Sequence, residues 1–130
     1  MDLIERAASV GKSRYIGSYL VGDVGSSLVS SSGKVYTGVC MDVSCGIGFC
    51  AEHSAIAAML TAGENRIETI VAAWKDDNGS LSVLAPCGRC REFIRQIQDG
   101  ALHTRVILGR DEVVTLGDLL PHPGRFQKLE

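Results

Sequence analysis

Apolar residues Leu3, Ile4, Ala7, Ala8 and Val10 alternate with Asp2, Glu5, Arg6 and Lys12 at helical spacing, so the pattern predicts a short amphipathic helix over 2–12 that stops near Gly11. Residues 24–31 and 34–40 read as two strands joined through Ser32-Gly33, an antiparallel hairpin. Residues 41–49, with Gly46 and Gly48, read as a loop. A helix over 50–62 follows, apolar nearly all round and closed by Gly63, so most of its circumference is expected to be buried. Residues 67–74 form a third strand with Trp74 in the core, Asp76-Asp77-Asn78-Gly79 a turn, and 80–84 a fourth strand. A second central helix is predicted over 88–99 with Gly100 as its stop. It puts Cys90, Phe93, Ile94 and Ile97 on one face and leaves Arg91 and Arg95 to solvent. A fifth strand over 105–108 and a short helix over 115–120 complete the series.

This alternation predicts an α/β fold, one five-stranded mixed sheet with helices on both faces, in a single domain over 1–130. With 45% hydrophobic and 22% charged residues in 130, the chain can bury a core and is not disordered. No run approaches the ~18 apolar residues of a membrane span, and the charged N-terminal stretch lacks a signal-peptide core, so a cytoplasmic location without membrane contact is expected. The net charge of −2 and 5% aromatic content argue against polymeric nucleic acid as a partner. The helix over 50–62 has more apolar circumference than one sheet face covers, which predicts a homo-oligomer.

Chemistry changes the picture at the cysteines. Five is an odd number, and in a reducing compartment metal binding or catalysis is a better reading than disulfides. Cys50 opens one central helix, and Cys87 and Cys90 open the other. Helix N-termini favour thiolate over thiol, and two such starts side by side would bring three thiolates together. Three ligands leave the fourth tetrahedral position of a zinc ion open, where water becomes acidic enough to react near neutral pH. Glu52, two residues after Cys50, is placed to move that water's proton. Rival readings are a redox pair at Cys87/Cys90, a closed structural zinc recruiting Cys40 or Cys45, and a merely helix-capping Glu52.

Cys50-Ala51-Glu52, followed by Pro86-Cys87-Gly88-Arg89-Cys90 with Cys87 37 residues after Cys50, resembles the cytidine deaminase superfamily; the run Pro86 to Arg91 and the chain length resemble its blasticidin S deaminases. The resemblance extends from about Gly33 to Pro121. It implies the three-layer cytidine deaminase-like fold and one Zn²⁺ per chain on Cys50, Cys87 and Cys90. It also implies Glu52 as proton shuttle, hydrolytic loss of the C4 amino group of a cytosine nucleoside or analogue as ammonia, and a homotetramer. Ala51 and Pro86 would touch the pyrimidine, Asp42 would stand in for the Glu of an Asn-x-Glu sugar-binding loop, and Phe126 would match a C-terminal aromatic that covers the base. Three thiolates around Zn²⁺ leave a net negative charge, for which Arg89 is the expected positive partner, with His53 assisting or packing. The substrates implied are of the cytidine and deoxycytidine type, with a blasticidin S-type drug-inactivating enzyme as the alternative. A different class, a non-catalytic zinc-stabilised binding domain, would share the same fold.

Overall fold

The computed structural model describes residues 2–98, 101–124 and 127–130. Helix α1 (Leu3–Val10) is fixed by a reciprocal cap in which Asp2 accepts from the Glu5 N–H at 2.7 Å, and Gly11 ends it. Strands β2 (Tyr19–Ser30) and β3 (Val35–Asp42) form the expected hairpin. The other side of β2 pairs antiparallel with β4 (Ile67–Lys75), which also pairs antiparallel with β5 (Leu81–Leu84). Next comes β6 (Arg105–Gly109), parallel to β4, so the sheet is mixed.

Among the described residues the sheet has seven strands where five were expected. β1 (Arg14–Ile16) is exposed at all three positions, so it shows no alternation to read; backbone pairing to the start of β2 makes it a strand. β7 (Glu112–Thr115) pairs back on β6 in the same way. The fold class is unchanged, because both additions are short strands paired to predicted ones.

Consecutive residues of β4 divide the core. Ile70 joins Leu28, Ile56, Met59 and Ile94 on one face, while Val71 joins Ile4, Ala7 and Ala8 of α1 on the other. The result is three layers. Trp74 is 41% exposed, not core, because it lies near the end of β4 beyond the helices' cover.

Helix α2 (Ala51–Thr61) lies directly on β3. A Cβ at Gly38 would collide with the Ser54–Ala55 backbone, and Ser54 Oγ donates to the Val39 carbonyl at 2.7 Å. Gly63, at φ +92, terminates α2 as expected: its N–H bonds the Leu60 carbonyl and that of Glu64 bonds the Met59 carbonyl. The outer face of α2 is open in the single chain, with Ala57 and Thr61 exposed and Leu60 at 38%, so the helix is less buried than its composition predicts.

Helix α3 (Gly88–Gln96) ends three residues early, and the expected stop at Gly100 lies outside the described residues. A 3₁₀ turn (Ala101–His103) precedes β6, and α4 (Leu116–Leu119) starts from a Thr115–Asp118 capping box. Among the described residues, no helix is long and apolar enough to cross a membrane.

Candidate metal centre and active site

The two central helices start beside one another. Cys50 is the N-cap of α2 and Cys87 the N-cap of α3, and neither side chain caps its helix, so both thiols are free for another partner. Cys90 comes from the first turn of α3 and is fully buried. The three sulfur atoms lie within 4.8 Å of one another, with Cys50 and Cys87 at 3.4 Å. Zn–S bonds of ~2.3 Å place tetrahedral sulfurs ~3.8 Å apart, so the cluster fits that ion. Neither Cys40 nor Cys45 belongs to it: Cys40 groups with Asp23 and Asp42, and Cys45 is exposed at φ +66 in the following loop. The cluster therefore consists of three sulfur atoms, with no fourth cysteine among the described residues.

Without a metal the three thiols differ. Burial and the hydrogen bond to Cys87 push Cys50 up to about 11, and burial also raises Cys90. Burial acts upwards on Cys87 as well, but the Cys90 N–H and the neighbouring thiols outweigh it and bring Cys87 below the ordinary thiol value. The most exposed of the three is thus the readiest thiolate.

Glu52 sits one residue into α2 and is only 5% exposed. Burial raises its pKa above the usual carboxylate value. It lines a cavity of about 530 Å³ together with Cys50, Cys87, Ala51, Asp42 and Arg89, so four expected site residues share one space with two of the sulfurs. Pro86 is buried and does not line this cavity. It borders a smaller space against Glu52, with its neighbours Ala85 and Cys87 in the main wall. Phe126 lies outside the described residues.

Arg89 donates to the Gly48 carbonyl at 3.0 Å, tying the loop before α2 to the start of α3. His53 stacks on Phe93 with ring centres 3.9 Å apart and an interplanar angle of 8°. Its Nδ1 is buried without a hydrogen-bond partner among the described residues, and burial followed by the Arg89 charge lowers its pKa, so packing is the role its surroundings describe.

Two residues escaped the sequence reading. Arg91 is not a solvent-face residue: it is half-buried and donates to the carbonyls of Pro86 and Leu119 at 2.8 and 3.1 Å. Asp23 accepts a hydrogen bond from the Cys40 thiol at 2.8 Å. The signal for Asp23 was Gly22 and Gly25 flanking it inside a strand, a sign of a bulge.

The start of α2 brings Cys50, and the start of α3 brings Cys87 and Cys90, beside the buried Glu52, a donor set that suits a zinc-dependent aminohydrolase. Residues 2–106 match the family profile described as the cytidine and deoxycytidylate deaminase zinc-binding region, and the chain belongs to that family. It is 35% identical over 102 residues to a cytidine deaminase of Mycobacterium tuberculosis, covering 75% of this chain and 69% of that one. It is 28% identical over 103 residues to a blasticidin-S deaminase of Bacillus cereus, covering 75% and 74%. The solved structure of a cytidine deaminase from Burkholderia pseudomallei superposes with a TM-score of 0.72 at 30% identity, covering 94% of this chain and 96% of the other.

Proposed function

We propose that this chain removes the C4 amino group of cytidine or deoxycytidine as ammonia, with Cys50, Cys87 and Cys90 holding one Zn²⁺ and Glu52 moving the protons. The observation that carries this reading is the buried Glu52 carboxyl facing the same cavity as the Cys50 and Cys87 thiols. The cavity volume of about 530 Å³ falls in the range of small-molecule sites, which suits a base with its sugar.

Zinc held by the three cysteines would supply a Lewis acid that makes water reactive near neutral pH. Glu52 would take a proton from the attacking water as the water's oxygen bonds to C4, and would deliver that proton to N3. It then passes the second proton of the water to the departing amine, so cytidine plus water gives uridine plus ammonia. Burial suits Glu52 to this exchange, because it narrows the gap between the carboxyl's proton affinity and the working pH. Ala51 and the wall on either side of Pro86 hold the pyrimidine.

Similarity to the Bacillus cereus enzyme supports a second substrate reading, a blasticidin-type cytosine analogue. The open outer face of α2 supports self-association; the homotetramer and the cytoplasmic location are read from the family resemblance and the sequence.

The test is ammonia release by zinc-loaded protein on cytidine, deoxycytidine, cytosine and blasticidin S, with Glu52→Gln alongside. Release in the wild type and its loss in a variant that still folds and binds zinc is expected. Wild-type silence across the panel with zinc in place would move the search to other amino-heterocycles, and silence on every aminated base would favour a non-catalytic binding domain.

A further inference from the structure

A second cavity, of about 370 Å³, lies beyond the C-terminal end of α3, away from the cysteines at its start. The nine residues of α3, at 1.5 Å each, set it ~13 Å along the helix from the metal centre. Its wall shares no residue with the cavity that Glu52 lines. Three strands meet there: Ser31 follows β2, Ile67 starts β4, and Thr104 precedes β6. The Ser31 N–H donates to the Arg66 carbonyl at 3.0 Å, which fixes where the Arg66 backbone enters β4. Beneath the cavity is a closed polar network. Gln98 Oε1 accepts from the Ile67 N–H at 2.8 Å, and Gln98 Nε2 donates to Thr104 Oγ1 at 3.2 Å and to the Ile94 carbonyl at 3.4 Å. Thr104, 3% exposed, donates its hydroxyl proton to the Ile67 carbonyl at 2.9 Å.

Arg66, His103 and Arg105 line this cavity against a single carboxylate, Glu68. Glu68 is held by Arg105 at 2.9 Å, and neither Arg66 nor His103 has a carboxylate partner among the described residues. The chain as a whole carries a net charge of −2, so the excess of basic groups is local. The end of a helix ordinarily turns negative carbonyls outward, which would oppose an anion. Here Gln98 occupies the Ile94 carbonyl of the last turn and reduces that opposition. Guanidinium forks and an imidazole N–H match phosphate oxygens, and the cavity has room for more than the bare ion.

We propose that this cavity is a second ligand site, for a small molecule bearing a phosphate monoester, with Arg66, His103 and Arg105 as its donors. Glu68 tempers the affinity, because it shares Arg105 with the incoming phosphate. Deamination uses none of these residues, so the proposal stands apart from the reading of the main cavity.

The test is calorimetric titration of zinc-loaded protein with inorganic phosphate and with ribose 5-phosphate at constant ionic strength. Ribose 5-phosphate should bind one to one and more tightly than free phosphate, and the amide resonances of Arg66, Thr104 and Arg105 should shift as it binds. Arg66→Ala and His103→Ala, both at exposed positions, should each weaken it about tenfold with melting temperature unchanged. Glu68→Gln frees Arg105 and should tighten binding about threefold. No saturable binding, equal affinity for the two probes, or affinity unchanged in both alanine variants would overturn the proposal. Binding lost in Arg89→Ala but kept in Arg66→Ala would place the anion in the main cavity and overturn it as well.

Discussion

Arg91 Nε donates to the Pro86 carbonyl oxygen at 2.8 Å, so the segment carrying Cys87 and Cys90 is closed on itself by its own arginine. A second donor of the same guanidinium reaches the Leu119 carbonyl at 3.1 Å and ties the segment to the end of α4. The spacing of the two late cysteines is therefore braced from outside the ligand set. Arg91→Ala should lower zinc affinity about tenfold, the scale of losing support around metal ligands, as measured by competition with a chromophoric chelator. Arg91→Lys should be intermediate, because one ammonium cannot reproduce the planar fork. Unchanged affinity in both variants would mean the brace does not serve the metal.

Gly38 determines how closely α2 approaches β3, and so where Cys50 and Glu52 stand. A methyl group at Gly38 meets helix backbone, not a side chain that could rotate away. Gly38→Ala should cost about 3 kcal/mol in urea unfolding, at the upper end for overpacking. Residual folded protein should show reduced turnover, because displacing α2 moves Cys50 and Glu52 away from Cys87 and Cys90.

Much of this arrangement was legible in the sequence because strong punctuation marks it. Pro86 and the glycines around the cysteines locate both helix starts, and Cys50-Ala51-Glu52 names its own chemistry. The parts that were not legible depend on backbone pairing and on contacts distant in sequence. β1 has no buried face, so periodicity had nothing to detect. Asp23 became relevant only through a bulge that sets three residues opposite Cys40. Arg91 sits in a helix that looks solvent-facing until the Leu119 carbonyl arrives from 28 residues away. Cys40 entered the sequence reading only as a rival zinc ligand; it is buried away from the three-sulfur cluster, and its thiol donates to Asp23.

Cys87 and Cys90 belong to one proposed metal set but differ in burial, which separates two effects of replacing them. Cys87 is exposed, so Cys87→Ser should abolish stoichiometric zinc while the metal-free protein keeps the stability of metal-free wild type. Cys90 is fully buried, so Cys90→Ser should lose zinc and also cost the metal-free protein about 1–3 kcal/mol for an unsatisfied buried hydroxyl. Elemental analysis and urea unfolding in chelator check the two parts. Full zinc content in either variant would remove that cysteine from the ligand set.

Glu92 accepts from Arg95 at 2.6 and 2.9 Å on the surface of α3. That contact, with help from Gln96, depresses its pKa from 4.5 to about 2. A carboxylate with a depressed pKa binds its proton more weakly in the folded chain than in the unfolded one. Its contribution is present above pH 4.5 and is lost as pH falls through the folded value of about 2. The urea midpoint of wild type should decline across that window, and Glu92→Gln should show a shallower decline there with no change in slope above pH 6. Because the pair is open to solvent and salt screens it, the difference between the two proteins should shrink in 1 M sodium chloride. A difference that persists undiminished at high salt would assign it to the neutral hydrogen bonds of the side chain and not to its charge.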